Sequence, residues 1–149
     1  MNIFIDCEFD GQRLLSLAMV SDLGEYYEVV EKQYANPDPW VRQNVWPVLG
    51  PQEPIGYEAL QISAAHWING HEDACIIADW PSDIEFICRV LNLGNGNMYP
   101  IRKGRLSFLL DCRLSSSKSK IPHNALADAR AIRECAAKIA APTHPDEKG

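Results

Sequence analysis

Four carboxylates sit in this chain where strand and helix periodicity direct them toward one interior, and one imidazole lies close before the last of them in the sequence. In "NIFIDCEFDG", Asn2 to Gly11, extended side chains alternate, so Ile3, Ile5, Cys7 and Phe9 share one side and Phe4, Asp6, Glu8 and Asp10 the other. Two carboxylates adjacent on one side of an apolar strand resist ionisation unless something positive compensates them. Asp83, in "DWPSDIEFICRVL", heads a helical stripe through Phe86, Ile87 and Val90 at offsets of three, four and seven, and so borders the core. Asp128, in "PHNALADARAIREC", lines up in the same way with Ile132, Cys135 and Ile139. His123 precedes it by five residues. At about 100° per residue the two would diverge on one helix, so the spacing serves one cleft if His123 sits on the loop before the helix. No basic residue is evident among the neighbouring core positions. A pair of divalent cations, about 3.5–4 Å apart, would offset the repulsion, and hard oxygen ligands suit Mg²⁺ or Mn²⁺ rather than zinc.

The elements that must position these groups follow from pattern. After the first strand, "RLLSLAMVSD" and "EYYEVVEKQ" flank a Gly-containing turn, which makes an antiparallel three-strand start. Prolines confine "NPDPWVRQNVWPVLGPQEP" to a short helix around Trp40 to Val45. "IGYEALQISAAHWING" reads as an amphipathic helix through Tyr57, Leu60, Ala64 and Trp67, stopped at Asn69-Gly70. "ACIIADW" is a buried parallel strand, "SDIEFICRVLNLG" a helix with an S-x-x-E capping box at Ser82 and Glu85, and "RLSFLLDC" another strand. "RLSSSKSKIP" is a basic loop and "NALADARAIRECAAKIAA" the closing helix. This order predicts an α/β domain over residues 1–141, a mixed sheet with helices on both faces. The polar tail 142–149, "PTHPDEKG", is expected to be disordered.

With 149 residues and 46% hydrophobic content, the chain is long enough for one real core. No run spans a bilayer, and "MNIFID" enters a strand without a secretory segment, so a cytoplasmic protein is expected. The five cysteines have no C-x-x-C spacing and read as reduced core residues. His66 and His71, in "HWINGHED", read as helix-end surface residues. The net charge of −6 is unevenly spread: residues 1–101 carry 4 Lys/Arg against 15 Asp/Glu, residues 102–138 carry 9 against 3. The second stretch is either a solvated face or a side that meets phosphates beside an acidic centre.

The "DCE" of the first strand, Asp83 after the middle strand, and the H-x-x-x-x-D of "HNALAD" resemble, in order and setting, the signature of the DEDDh 3′–5′ exonucleases on the RNase H-like fold. "LLSLAMVSDLGEYYEV", "DPWVRQNVWPVL" and "HNALADAR" are similar to the small stand-alone exoribonuclease branch, and the likeness covers Asn2 to about Ala140. Phe9 stands where many members carry Thr. In the middle motif, often N-x-x-F-D, Asp79 takes the Asn place and Ser82 the Phe place.

The resemblance implies that Asp6, Glu8, Asp83 and Asp128 are metal ligands for two Mg²⁺ or Mn²⁺ ions and that His123 is the general base. It implies hydrolysis of single-stranded RNA or DNA from a free 3′ end to 5′-mononucleotides, with RNA favoured. Phe9 and Trp80 flank the acidic motifs and could stack on bases, while Lys118 and Lys120 could meet phosphates. Asp79 could assist Asp83. A homodimer is compatible with this reading and not required by it. The competing readings are the same chemistry on single-stranded DNA, a binding or assembly module without turnover, and an RNase H-type endonuclease.

Overall fold

The computed structural model describes residues 1–32 and 34–141; the tail 142–149 lies outside them. Three strands, β1 (Asn2–Asp10), β2 (Arg13–Ser21) and β3 (Gly24–Val29), form an antiparallel meander. Asp38 caps the short helix α1 (Pro39–Asn44) by accepting the Trp40 and Val41 N–H groups, and a single 3₁₀ turn, Trp46–Val48, follows. Helix α2 (Tyr57–Ile68), strand β4 (Cys75–Ala78) and helix α3 (Pro81–Leu91) come next. A hairpin of β5 (Asn92–Gly94) and β6 (Asn97–Met98), strand β7 (Ser107–Leu110) and helix α4 (Ala125–Ala140) complete the described chain.

The main sheet runs β3-β2-β1-β4-β7. β4 is parallel to β1, and β7 is parallel to β4, so the meander is followed by two parallel strands. This is an α/β fold with an RNase H-like sheet. Alternation along β1 divides the core as the sequence requires. Ile3, Ile5 and Cys7 join Leu60, Ala64 and Ile68 of α2 and Phe86, Ile87 and Val90 of α3 on one face. Phe4 meets Ile132 of α4 on the other, beside a cluster that joins Ala18 and Val20 to Ala125 and Ala129. Burying such side chains contributes roughly 1.5–3 kcal/mol each for Ile, Leu or Phe, and it clamps α3 and α4 against opposite faces of the same strand.

Four local readings are corrected. Helix α3 starts at Pro81, with Trp80 as an N-cap that makes no side-chain bond. Proline is pre-organised for the first helical position, which leaves Ser82 too far inside to cap, and Glu85 pairs instead with Arg89 at 2.6 Å. The same helix ends at Leu91, because Asn95-Gly96 turns the chain into the β5–β6 hairpin with positive φ at both residues. His71 is buried, 3% exposed. Its Nδ1 lies 3.0 Å from the Trp67 carbonyl and its Nε2 2.8 Å from Ser21 Oγ, so the imidazole ties the end of α2 to the β2–β3 turn. Of the five free cysteines only Cys7 is fully buried, and Cys88 and Cys112 are exposed.

No helix among the described residues is long and apolar enough to cross a membrane.

Candidate metal centre

β1 projects past its parallel neighbour. Pairing with β4 reaches only Phe4 with Ile77, so the backbone of β1 beyond that point lacks a strand on that side. Asp83, in the first turn of α3, fills the gap: its Oδ1 accepts the Cys7 N–H at 3.0 Å. On the other edge Asp6 faces Ala18 and Glu8 faces Ser16, both small, so β2 leaves space above the two carboxylates. Helix α4 brings Asp128 to that space. Its N-cap Asn124 accepts the Ala127 N–H at 3.0 Å and donates to the Val48 carbonyl at 2.7 Å, which ties the head of α4 to the turn after α1. Asp79, directly after β4, approaches from the end of the strand.

The result is two overlapping triads. One oxygen each of Asp6, Glu8 and Asp128 lie within 4.8 Å of one another, and so do oxygens of Asp6, Asp79 and Asp83. Asp6 belongs to both. Asp128 is 7% exposed and its Oδ1 has no hydrogen-bond partner, a state that costs roughly 1–3 kcal/mol or more for a buried charged group. The Ser119 hydroxyl lies close enough to draw the Asp128 pKa down but does not reach bonding geometry, so its oxygen is orphaned too.

Crowding dominates the electrostatics. Burial, then Asp83, Glu8, Asp128 and Asp79, push Asp6 well above the usual carboxylate range. Burial followed by Asp128 and Asp83 raises Glu8 to about 8. Burial raises Asp83 to about 7 although the Cys7 amide opposes it. Burial also raises Asp128, against the His123 amide. An all-oxygen donor set with an unpartnered buried oxygen fits a hard divalent cation, Mg²⁺ or Mn²⁺.

A sign follows. These carboxyls hold protons in the folded state at pH values where the unfolded chain, with pKa values near 4, has released them, so stability falls as pH rises. Chelator-treated protein should therefore lose thermal stability steadily from about pH 4, through the Asp83 value of about 7, to the Glu8 value of about 8. Mn²⁺ should restore it, more at pH 8 than at pH 5. Melting curves with and without Mn²⁺ at both pH values check this, and an equal metal effect at both would contradict it.

The chain matches no family model, no curated protein and no solved structure.

Asp6, Glu8, Asp83 and Asp128 are thus brought together, and Asp79 joins them. Its signal in the sequence was a second acid just after the middle strand. His123 is on the loop before α4, exposed, with a left-handed φ of 66°; its backbone N–H donates to Asp128 Oδ2 at 3.1 Å. Its ring meets the edge of Trp40 at 5.0 Å between centroids. Trp40 had no signal, because the contact joins distant segments. It is placed by Asp10, whose Oδ2 accepts the Asp38 N–H and the Tyr34 hydroxyl, each at 2.9 Å.

Phe9 turns to the α3 side and packs against Phe86, 4.8 Å between centroids. Trp80 is 62% exposed, beside Asp79. Lys118 and Lys120 line a cavity of about 160 Å³ with Arg130 and Glu134. The basic stretch as a whole is not one face. Arg113, Arg130 and Arg133 are paired with Asp111, Glu25 and Asp22. Arg102, Lys103 and Arg105 precede β7, and Asp73, just before β4, bonds the Lys103 carbonyl and the Arg105 N–H. Parallel strands put that loop at the opposite end of the sheet from the carboxylates, whereas Lys118 and Lys120 follow β7 at the same end.

Proposed function

We propose that this protein is a metal-dependent 3′–5′ exonuclease that hydrolyses single-stranded nucleic acid, RNA in preference to DNA, to 5′-mononucleotides. The observation that carries the reading is the pair of buried carboxylate triads sharing Asp6 at the end of β1, with His123 on the loop beside Asp128. Asp6, Glu8, Asp83 and Asp128 would hold two Mg²⁺ or Mn²⁺ ions. When bound, such a pair supplies charge stabilisation to the attacking and leaving oxygens of a phosphodiester.

The remaining roles belong to the chain. His123 takes the proton of the attacking water, a task suited to an imidazole, whose unprotonated ring nitrogen is an acceptor. Trp80, exposed at the rim, offers a face to a base. Lys118 and Lys120 meet phosphates of the strand on the site's end of the sheet. The five free cysteines suit a reducing compartment, which supports a cytoplasmic protein.

Lys118→Glu with Lys120→Glu should weaken substrate capture and flatten the dependence of KM on salt by about two counterions, while the single-turnover rate at saturation changes little. An unchanged salt slope would make the loop a solvated connector.

The activity itself is tested by a time course on 5′-end-labelled single-stranded RNA and DNA of matched sequence, with Mg²⁺, Mn²⁺ or chelator. The expected result is a ladder shortening from the 3′ end, faster on RNA and absent in chelator. Faster loss of DNA would assign the proofreading-type substrate. No cleavage with either metal would leave the fold as a binding module and overturn the proposal.

A further inference from the structure

We propose that Asp79 is a fifth carboxylate ligand, completing the second cation subsite, and that through Ser116 it couples ion binding to the loop carrying Lys118, Lys120 and His123. This rests on the carboxylate cluster being a two-cation centre.

The four carboxylates of the resemblance divide unequally around Asp6. Asp6, Glu8 and Asp128 form one triad, and Asp83 alone would join Asp6 in the other. Asp79 makes the second group a triad as well, its oxygen within 4.8 Å of those of Asp6 and Asp83. Cations of this class accept several oxygens and complete their shell with water, so a third protein ligand raises affinity without demanding a closed cage. The cluster is more than a gathering of acids: Asp128, nine-tenths buried, aims an oxygen without a partner into it.

Asp79 is also held in place. It sits in the bend between β4 and Pro81, where strand end and helix start fix its backbone, and it is half-buried at the rim. Its Oδ2 accepts the Ser116 N–H at 3.3 Å, and a carboxylate has acceptor capacity to spare on its other oxygen. One oxygen can therefore bind an ion while the other holds the loop. An asparagine here would keep the Ser116 acceptor but bring no charge to the cation, which separates the two duties.

The test uses the full chain stripped with chelator and titrated with Mn²⁺ alone, free ion being followed by electron paramagnetic resonance. Wild type should bind two ions. Asp79→Asn should keep one affinity and lose about tenfold or more in the other. Mn²⁺ should slow tryptic cleavage after Lys118 and Lys120 in the wild type and should not in Asp79→Asn. Asp79→Glu, which keeps the charge, should retain both ions. Wild-type affinities and wild-type protection in Asp79→Asn would overturn the role of Asp79. Loss of the second ion in both variants would assign the effect to packing and overturn it equally. A wild type that binds no Mn²⁺ would instead overturn the two-cation centre beneath it.

Discussion

Asp6→Ala should abolish nucleic-acid hydrolysis while leaving the metal-free protein folded and more stable at pH 8 than the wild type. Asp6 is the one carboxylate common to both triads, so its loss leaves two remnants, Glu8 with Asp128 and Asp79 with Asp83. Each keeps two carboxylates, and no shared ligand holds the two subsites together. Because metal-ion stabilisation is worth several kcal/mol and each 1.4 kcal/mol is tenfold in rate, the loss should be at least roughly a thousandfold.

The stability gain has a separate cause. Burial first, and then Asp83, Glu8, Asp128 and Asp79, raise the pKa of Asp6. Removing it removes the cost of holding that carboxyl in the interior, a cost that grows with pH. The side chain faces Ala18 across the strand pair, so truncation exposes no large apolar surface. Activity near the wild-type level in a monodisperse variant would defeat the assignment, and so would destabilisation of the metal-free protein.

His123→Ala should lower the single-turnover rate at saturating substrate by roughly a hundredfold or more, in the usual range for general-base catalysis. The variant should bind metal as before, since all the carboxylates remain. His123 has a φ of 66°, where alanine is strained and asparagine is tolerated better. Its amide also holds Asp128, so a distorted backbone could disturb the ligand directly. His123→Asn removes the base while easing that strain, and both variants should lose rate to a similar extent. An unchanged single-turnover rate in the two would leave the carboxylates as a metal site whose base lies elsewhere.

Much of this site was legible because its carboxylates interrupt apolar periodicities. Asp6 and Glu8 break the rule that a buried strand is apolar, and the alternation that places Ile3, Ile5 and Cys7 against α2 and α3 forces them to the α4 side. Asp128 was legible from its alignment with Ile132, which is fully buried. What escaped depends on packing between distant segments. Trp40 meets His123 only because Asp10 anchors Asp38, and Asn124 reaches Val48 only once α4 has docked. His71 looked like a surface residue because its partners, Ser21 and the Trp67 carbonyl, lie on the β2–β3 turn and within the preceding helix. The β5–β6 hairpin carried a readable Asn-Gly signal, obscured because Asn92 to Gly94 also reads as a helix end. The basic stretch misled for a topological reason: a strand runs through it, so its two ends emerge at opposite ends of the sheet.

The central claim is that this acidic centre cuts successive bonds inward from a 3′ end. The most direct measurement compares a linear single-stranded RNA with the same sequence closed into a circle, each incubated with the protein and Mn²⁺. The linear strand should be consumed to 5′-mononucleotides while the circle persists for as long as the experiment runs. Conversion of the circle to a linear product would show internal cleavage and contradict the account.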